Sequence, residues 1–98
     1  MSLKGSQRRR LRALAHSLQP VVQIGQRGLT DEVLREIDHS LGIHELIKIR
    51  FLEFKHEKKS LCTEIENHLS AEQIGIIGHI ALFYRRNPDP EKRKIRFD

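Results

Sequence analysis

The sequence predicts an α/β fold: a single compact domain with a four-stranded mixed sheet and helices packed on it. Three observations lead there. Apolar residues recur at helical spacing in three segments, around 11–18, 34–41 and 61–69. Short strand-like segments at 21–24, 44–54, 73–77 and 80–85 separate or follow them. The resulting order, α-β-α-β-α-β-β, alternates strands with helices, which implies one sheet with some parallel pairing and helices laid on it.

Each element has a local reason. Leu11, Leu14, Ala15 and Leu18 follow i, i+3, i+4, i+7, predicting an amphipathic helix over about residues 5–17, which Pro20 stops. Residues 21–24, bounded by Pro20 and Gly25, read as a buried strand. Thr30 is a good N-cap, and Asp31 and Glu32 suit the first turn that follows. Leu34, Ile37 and Leu41 make that helix's apolar face, and Gly42 is placed to close it. In HELIKIRFLEF, Ile47, Ile49 and Phe51 alternate with Lys48 and Arg50, predicting a strand with one buried and one basic face. Leu61, Cys62, Ile65, His68 and Leu69 restore a helical stripe over about 57–69. Two strands then flank a tight turn at Gly78-His79. The domain ends near residue 86, and the charged, two-proline stretch 87–98 is expected to be a loosely held tail.

Composition narrows the function. The chain has 98 residues, 38% of them hydrophobic and 32% charged, enough for one domain with a small core. It has no apolar run of membrane-span length and no secretory segment, so a cytoplasmic protein without a membrane partner is expected. Its one cysteine, Cys62, offers neither a disulfide framework nor a thiol cluster and reads as a core residue. The net charge of +5 is unevenly spread. Residues 1–28 carry six basic side chains and no acidic one, the middle is acidic, and the C-terminus is basic again. Arg8, Arg9 and Arg10 lie in the early turns of a helix, where positive charge opposes the macrodipole. Such placement suggests an anionic partner, although a solvated surface gives the same charge pattern.

The motifs sort by setting. Gly25-Gln26-Arg27-Gly28 stands between a strand and a helix N-cap, where glycines can take positive φ and expose N–H groups to an anion. Arg27 adds a phosphate fork. Both a nucleic-acid backbone clamp, like the GxxG loop of KH domains, and a plain structural turn satisfy this pattern. The nucleotide P-loop and dinucleotide fingerprints are absent. A second pair, Gly75 and Gly78, encloses only isoleucines and reads as strand relief and a turn. HELIK lacks the second histidine of a zinc-protease motif and sits on a strand pattern, so a metal site is not expected. No nucleophile elbow occurs. Tyr84 with Arg85 and Arg86 is either a stacking group with cations or a core tyrosine beside solvated arginines.

Three stretches in order, LRALAHSLQPVVQIGQRGLT, HELIKIR and IGHIALFYR, resemble the chloroplast RNA-splicing and ribosome-maturation (CRM) domain, in its stand-alone bacterial, YhbY-like form. The likeness runs from about residue 11 to residue 85. It implies an α/β sandwich like the C-terminal domain of translation initiation factor 3. The family's RNA-binding loop falls on Gly25, Gln26, Arg27 and Gly28, and its basic surface takes in the first helix. Bacterial members are associated with precursors of the large ribosomal subunit, plant members with group II introns. Two departures stand out. The loop centre is Gln26-Arg27 where many relatives carry lysine first, and the last strand ends FYRR where LYRP is usual.

The resulting expectation is a monomeric, non-enzymatic RNA-binding protein of large-subunit assembly, without cofactor or small-molecule substrate. Arg8, Arg9, Arg10 and Arg12 would capture RNA, Gly25–Gly28 would position phosphates, and Lys48, Arg50, Arg85 and Arg86 would add contacts. With few aromatics in view, recognition of shape and backbone is expected over sequence readout. Two rivals remain at this level: a module docking an acidic protein surface, and a small enzyme using His44 or His79 as base.

Overall fold

A computed structural model describes residues 3–97. Its elements are α1 (Gly5–Ala15), β1 (Pro20–Ile24), α2 (Asp31–His44), β2 (Leu46–Phe51), α3 (Lys58–Leu69), β3 (Glu72–Ile77) and β4 (Ile80–Tyr84), with short 3-10 turns at Lys55–Glu57 and Pro90–Lys92. The four strands form one sheet in the order β1-β2-β4-β3. β1 runs parallel to β2, while β4 is antiparallel to both β2 and β3, so the sheet is mixed as expected.

Side-chain alternation divides the core between the two faces. Val22, Ile24, Ile47, Ile49, Phe51, Ala81 and Phe83 meet Ile37 and Leu41 of α2 and Cys62 and Ile65 of α3. Leu46, Ile74, Leu82 and Tyr84 face the other way, onto Leu11 and Ala15 of α1. β2 therefore buries Leu46 on the face expected to be basic, and only Arg50 on that face is fully open. Leu14, an expected member of the α1 stripe, instead points outward.

Three expectations are corrected. α2 does not close at Gly42 but continues to His44. One exposed glycine costs about 1 kcal/mol in a helix, too little to stop it. Glu45 ends it instead, with φ 64° and its N–H donating to the Leu41 carbonyl (2.9 Å). The tail is not loosely held. Glu45 is wholly buried, and its carboxylate accepts from the backbone N–H groups of Asn87 (2.7 Å), Lys94 (2.6 Å) and Ile95 (3.0 Å). Ile95 and Phe97 then pack on the α1-side core, Phe97 edge-on to Tyr84 with ring centroids 6.0 Å apart. Tyr84 is accordingly a core residue, its hydroxyl pKa raised by burial and by Glu45. Finally, of the two loop glycines only Gly28 takes positive φ.

Candidate functional site

The register fixes two ends of the sheet. Leu46, Tyr84 and Glu72 align at one end, and Ile24, Phe51, Ile80 and Ile77 at the other. The Gly25–Gly28 loop leaves the second end, directly after β1. The Gly28 N–H donates to the Gly25 carbonyl (3.0 Å), closing a four-residue turn with φ 69° at Gly28. The Thr30 N–H donates to the Gly28 carbonyl (3.1 Å), and the Thr30 hydroxyl caps α2 by accepting from the Val33 N–H (3.1 Å). The turn is thus held at both ends by its own backbone.

Its centre is left open. Among the described residues, the N–H groups of Gln26 and Arg27 and the Arg27 guanidinium have no protein partner. A side-chain carbon placed at Gly25 would meet nothing within 4 Å. Two adjacent N–H groups beside a free guanidinium and an unobstructed backbone can bind an anion such as phosphate. The same concavity is lined by Asp31, Glu32 and Arg35. The two exposed carboxylates keep an anion on the loop and away from the first turn of α2.

The other predicted contacts divide into free and engaged cations. Arg9, Arg10, Arg12 and Arg50 are exposed and have no ion-pair or hydrogen-bond partner among the described residues. Arg12 lies over Gly75 on the α1 face. Three others serve the fold. Arg8 pairs with Glu72 (3.0 Å) and donates to the Gln73 carbonyl (2.7 Å). Lys48 donates to the Leu18 carbonyl (2.9 Å), tying the connection after α1 to β2. Arg85 pairs with Asp38 (2.6 Å) and donates to the Asp38 and Leu69 carbonyls (3.0 Å each), joining β4 to α2 and α3. Arg86 is exposed, and its charge acts on the Tyr84 hydroxyl. Arg10 shares a groove with Lys4, Arg96 and Phe97. This groove and Arg8 belong to the Glu72 end of the sheet, opposite the end that the glycine turn leaves.

Sequence reasoning missed a group beside the turn. The Leu52 and Glu53 N–H groups both donate to the Ile24 carbonyl (2.9 and 3.2 Å), which pins the exit of β2 against the exit of β1. Phe54 follows in the left-handed conformation (φ 58°, ψ 37°), which costs an L-residue about 1–2 kcal/mol. A carbon placed at Gly28 would lie 3.4 Å from Phe54 Cε2, so the ring covers that glycine. Lys55, His56, Lys58 and Lys59 come next, and Lys58 Nζ bonds the Gly78 carbonyl and lies 3.1 Å from His79 Nδ1. Desolvation and the charges of Lys58, Lys55 and His56 lower the His79 pKa from its usual 6.5. The run FKHEKK was the available signal, but it falls across the junction between the strand-like segment 44–54 and the helical stripe from about 57. Cys62, by contrast, is buried, and burial and Glu66 push its thiol pKa up to about 11, which leaves it inert at neutral pH. No group of three or more metal-ligating side chains occurs among the described residues.

The model of the CRS1 / YhbY (CRM) domain matches residues 3–85. The chain belongs to the CRM family. A Haemophilus influenzae CRM relative, named "RNA-binding protein", is 42% identical over 96 residues, covering 97% of this chain and 94% of the relative. The Pseudomonas aeruginosa "Probable RNA-binding protein PA4753" is 34% identical, covering 94% of this chain and 89% of its own. The solution structure of Staphylococcus aureus SAV1595 superposes with a TM-score of 0.80 at 31% identity, covering 97% of this CRM chain and all of that one. The fold inferred from the resemblance is therefore the observed one.

Proposed function

We propose that this CRM protein binds ribosomal RNA during assembly of the bacterial large ribosomal subunit, in the cytoplasm, without catalysing a reaction. The observation that carries the reading is the Gly25–Gly28 turn, with its two unpartnered N–H groups, free Arg27 and open Gly25. Relatives named as RNA-binding proteins support RNA as the anion. In this mechanism the exposed arginines attract the RNA, and the turn fixes a phosphate by backbone donation, so shape and backbone dominate over base identity.

Crosslinking in cells followed by sequencing of the bound RNA tests the proposal. Enrichment of large-subunit precursor fragments, reduced in an Arg27→Glu variant, is expected. Crosslinks absent from ribosomal RNA would overturn it. A protein partner on an acidic ribosomal surface would show instead as co-purification that Arg27→Glu abolishes while RNA retention stays unchanged.

A further inference from the structure

Phe54 is the feature that the phosphate-clamp mechanism leaves unused. It is 40% exposed and belongs to neither core cluster, yet its backbone is held in a conformation that bulky side chains rarely adopt. Strained residues persist where the surrounding structure imposes them, and here both flanks do so. On one side the paired bonds to the Ile24 carbonyl fix Leu52 and Glu53, and on the other the Glu57 N–H donates to the Phe54 carbonyl (3.0 Å). The outcome is an aromatic ring presented beside the glycine turn rather than folded into the core.

Its neighbours have the chemistry of a nucleic-acid strand's partner. Arg27 and the free N–H groups of Gln26 and Arg27 lie on one side. On the other, Lys55, Lys58 and Lys59 follow, with His56 and His79 among them. The Glu53 and Glu57 carboxylates are also exposed here, so cations outnumber acids without forming a uniform field. An aromatic ring between a phosphate-binding turn and a row of lysines is the arrangement that binds single strands, with bases stacked and backbone neutralised.

We infer that Phe54 is a stacking platform for an unpaired base of single-stranded RNA whose phosphate sits on the Gly25–Gly28 turn, with Lys55 and Lys59 serving the adjoining phosphates. This rests on the RNA reading of the turn and adds a preference for unpaired RNA. Stacking tolerates any base, so it adds strand selectivity rather than a sequence code.

The chain has no tryptophan, so Phe54→Trp introduces a single reporter. Titration with a short oligoadenylate at low ionic strength is expected to quench its emission as binding saturates. Phe54→Leu, checked for an unchanged melting temperature, should weaken oligoadenylate binding roughly 5- to 150-fold. Phe54→Tyr should restore it, and affinity for duplex RNA should change less than about twofold, since duplexes are held through shape and backbone. Unchanged tryptophan emission despite saturated binding would overturn the inference and leave the RNA reading intact. So would a Phe54→Leu variant that binds oligoadenylate as tightly as the parent, or loses duplex RNA equally. Absence of RNA binding by the parent chain is the distinct result that overturns both.

Discussion

At Gly28 the backbone is left-handed and a side-chain carbon would touch Phe54 at 3.4 Å, whereas at Gly25 φ is not positive and the space beside it is empty. The two glycines of one motif therefore have separable jobs. Gly28→Ala should lower stability by about 1–2 kcal/mol through αL strain, a melting shift of roughly 4–8 °C or more. Gly25→Val should melt within a degree or two of the parent, because it changes only open surface. It should nonetheless weaken RNA binding roughly tenfold by covering the donors that a phosphate would use. Thermal unfolding and binding on the same two variants check both halves. The spacing alone made the two positions equivalent, and the left-handed backbone at Gly28 and its contact with Phe54 distinguish them.

Most elements were legible because their causes are local. The Thr30 cap, the alternation of Ile47, Ile49 and Phe51, and the turn at Gly78 (φ 60°) all work within a few residues of chain. What was not legible depends on distant partners. α2 ends at Glu45 because the buried carboxylate there serves residues more than forty positions away. The same bonds turn an apparent tail into a structural segment. Arg8, Lys48 and Arg85 looked like surface cations because their partners, Glu72, Leu18 and Asp38, lie far off in sequence. Phe54 was hidden in the opposite sense: by pattern it falls within the strand-like segment 44–54, whereas β2 ends at Phe51 and a left-handed turn places Phe54 outside the sheet. Glu45 offers the clearest test at this scale. Glu45→Ala removes one acceptor group from three N–H donors and should cost about 2–3 kcal/mol, with faster tryptic cleavage in residues 92–96. Glu45→Gly relieves the positive φ but loses the same bonds, so it should melt above Glu45→Ala yet show the same cleavage.

For the molecule as a whole, free positive charge lies at both ends of the sheet, in a body of 40 × 24 × 23 Å. Arg9 and Arg10 mark the Glu72 end, and Arg27 with Lys55 and Lys59 the other. If one RNA spans both, Arg27→Glu and the pair Arg9→Glu, Arg10→Glu should each flatten the salt dependence of binding. Each lost phosphate contact should remove roughly 0.7–0.9 from the log–log slope, and the effects should add. A single-ended interface would leave one of the two variants silent.

Arg8 leads to a different property of the whole. β3 is one of the two outer strands of the sheet, and such a strand offers unpaired backbone groups to any passing chain. At Gln73 both groups are already taken: Arg8 occupies the carbonyl, and Glu66 accepts from the N–H (2.8 Å). Two side chains of opposite charge therefore imitate a neighbouring strand at the point where the register shifts between Gln73 and Gly75. Removing both, in Arg8→Ala with Glu66→Ala, should give concentration-dependent self-association by sedimentation, while either single change is partly masked by the other. An arginine that reads as a hand held out to RNA is thus also a guard against the protein's own copies.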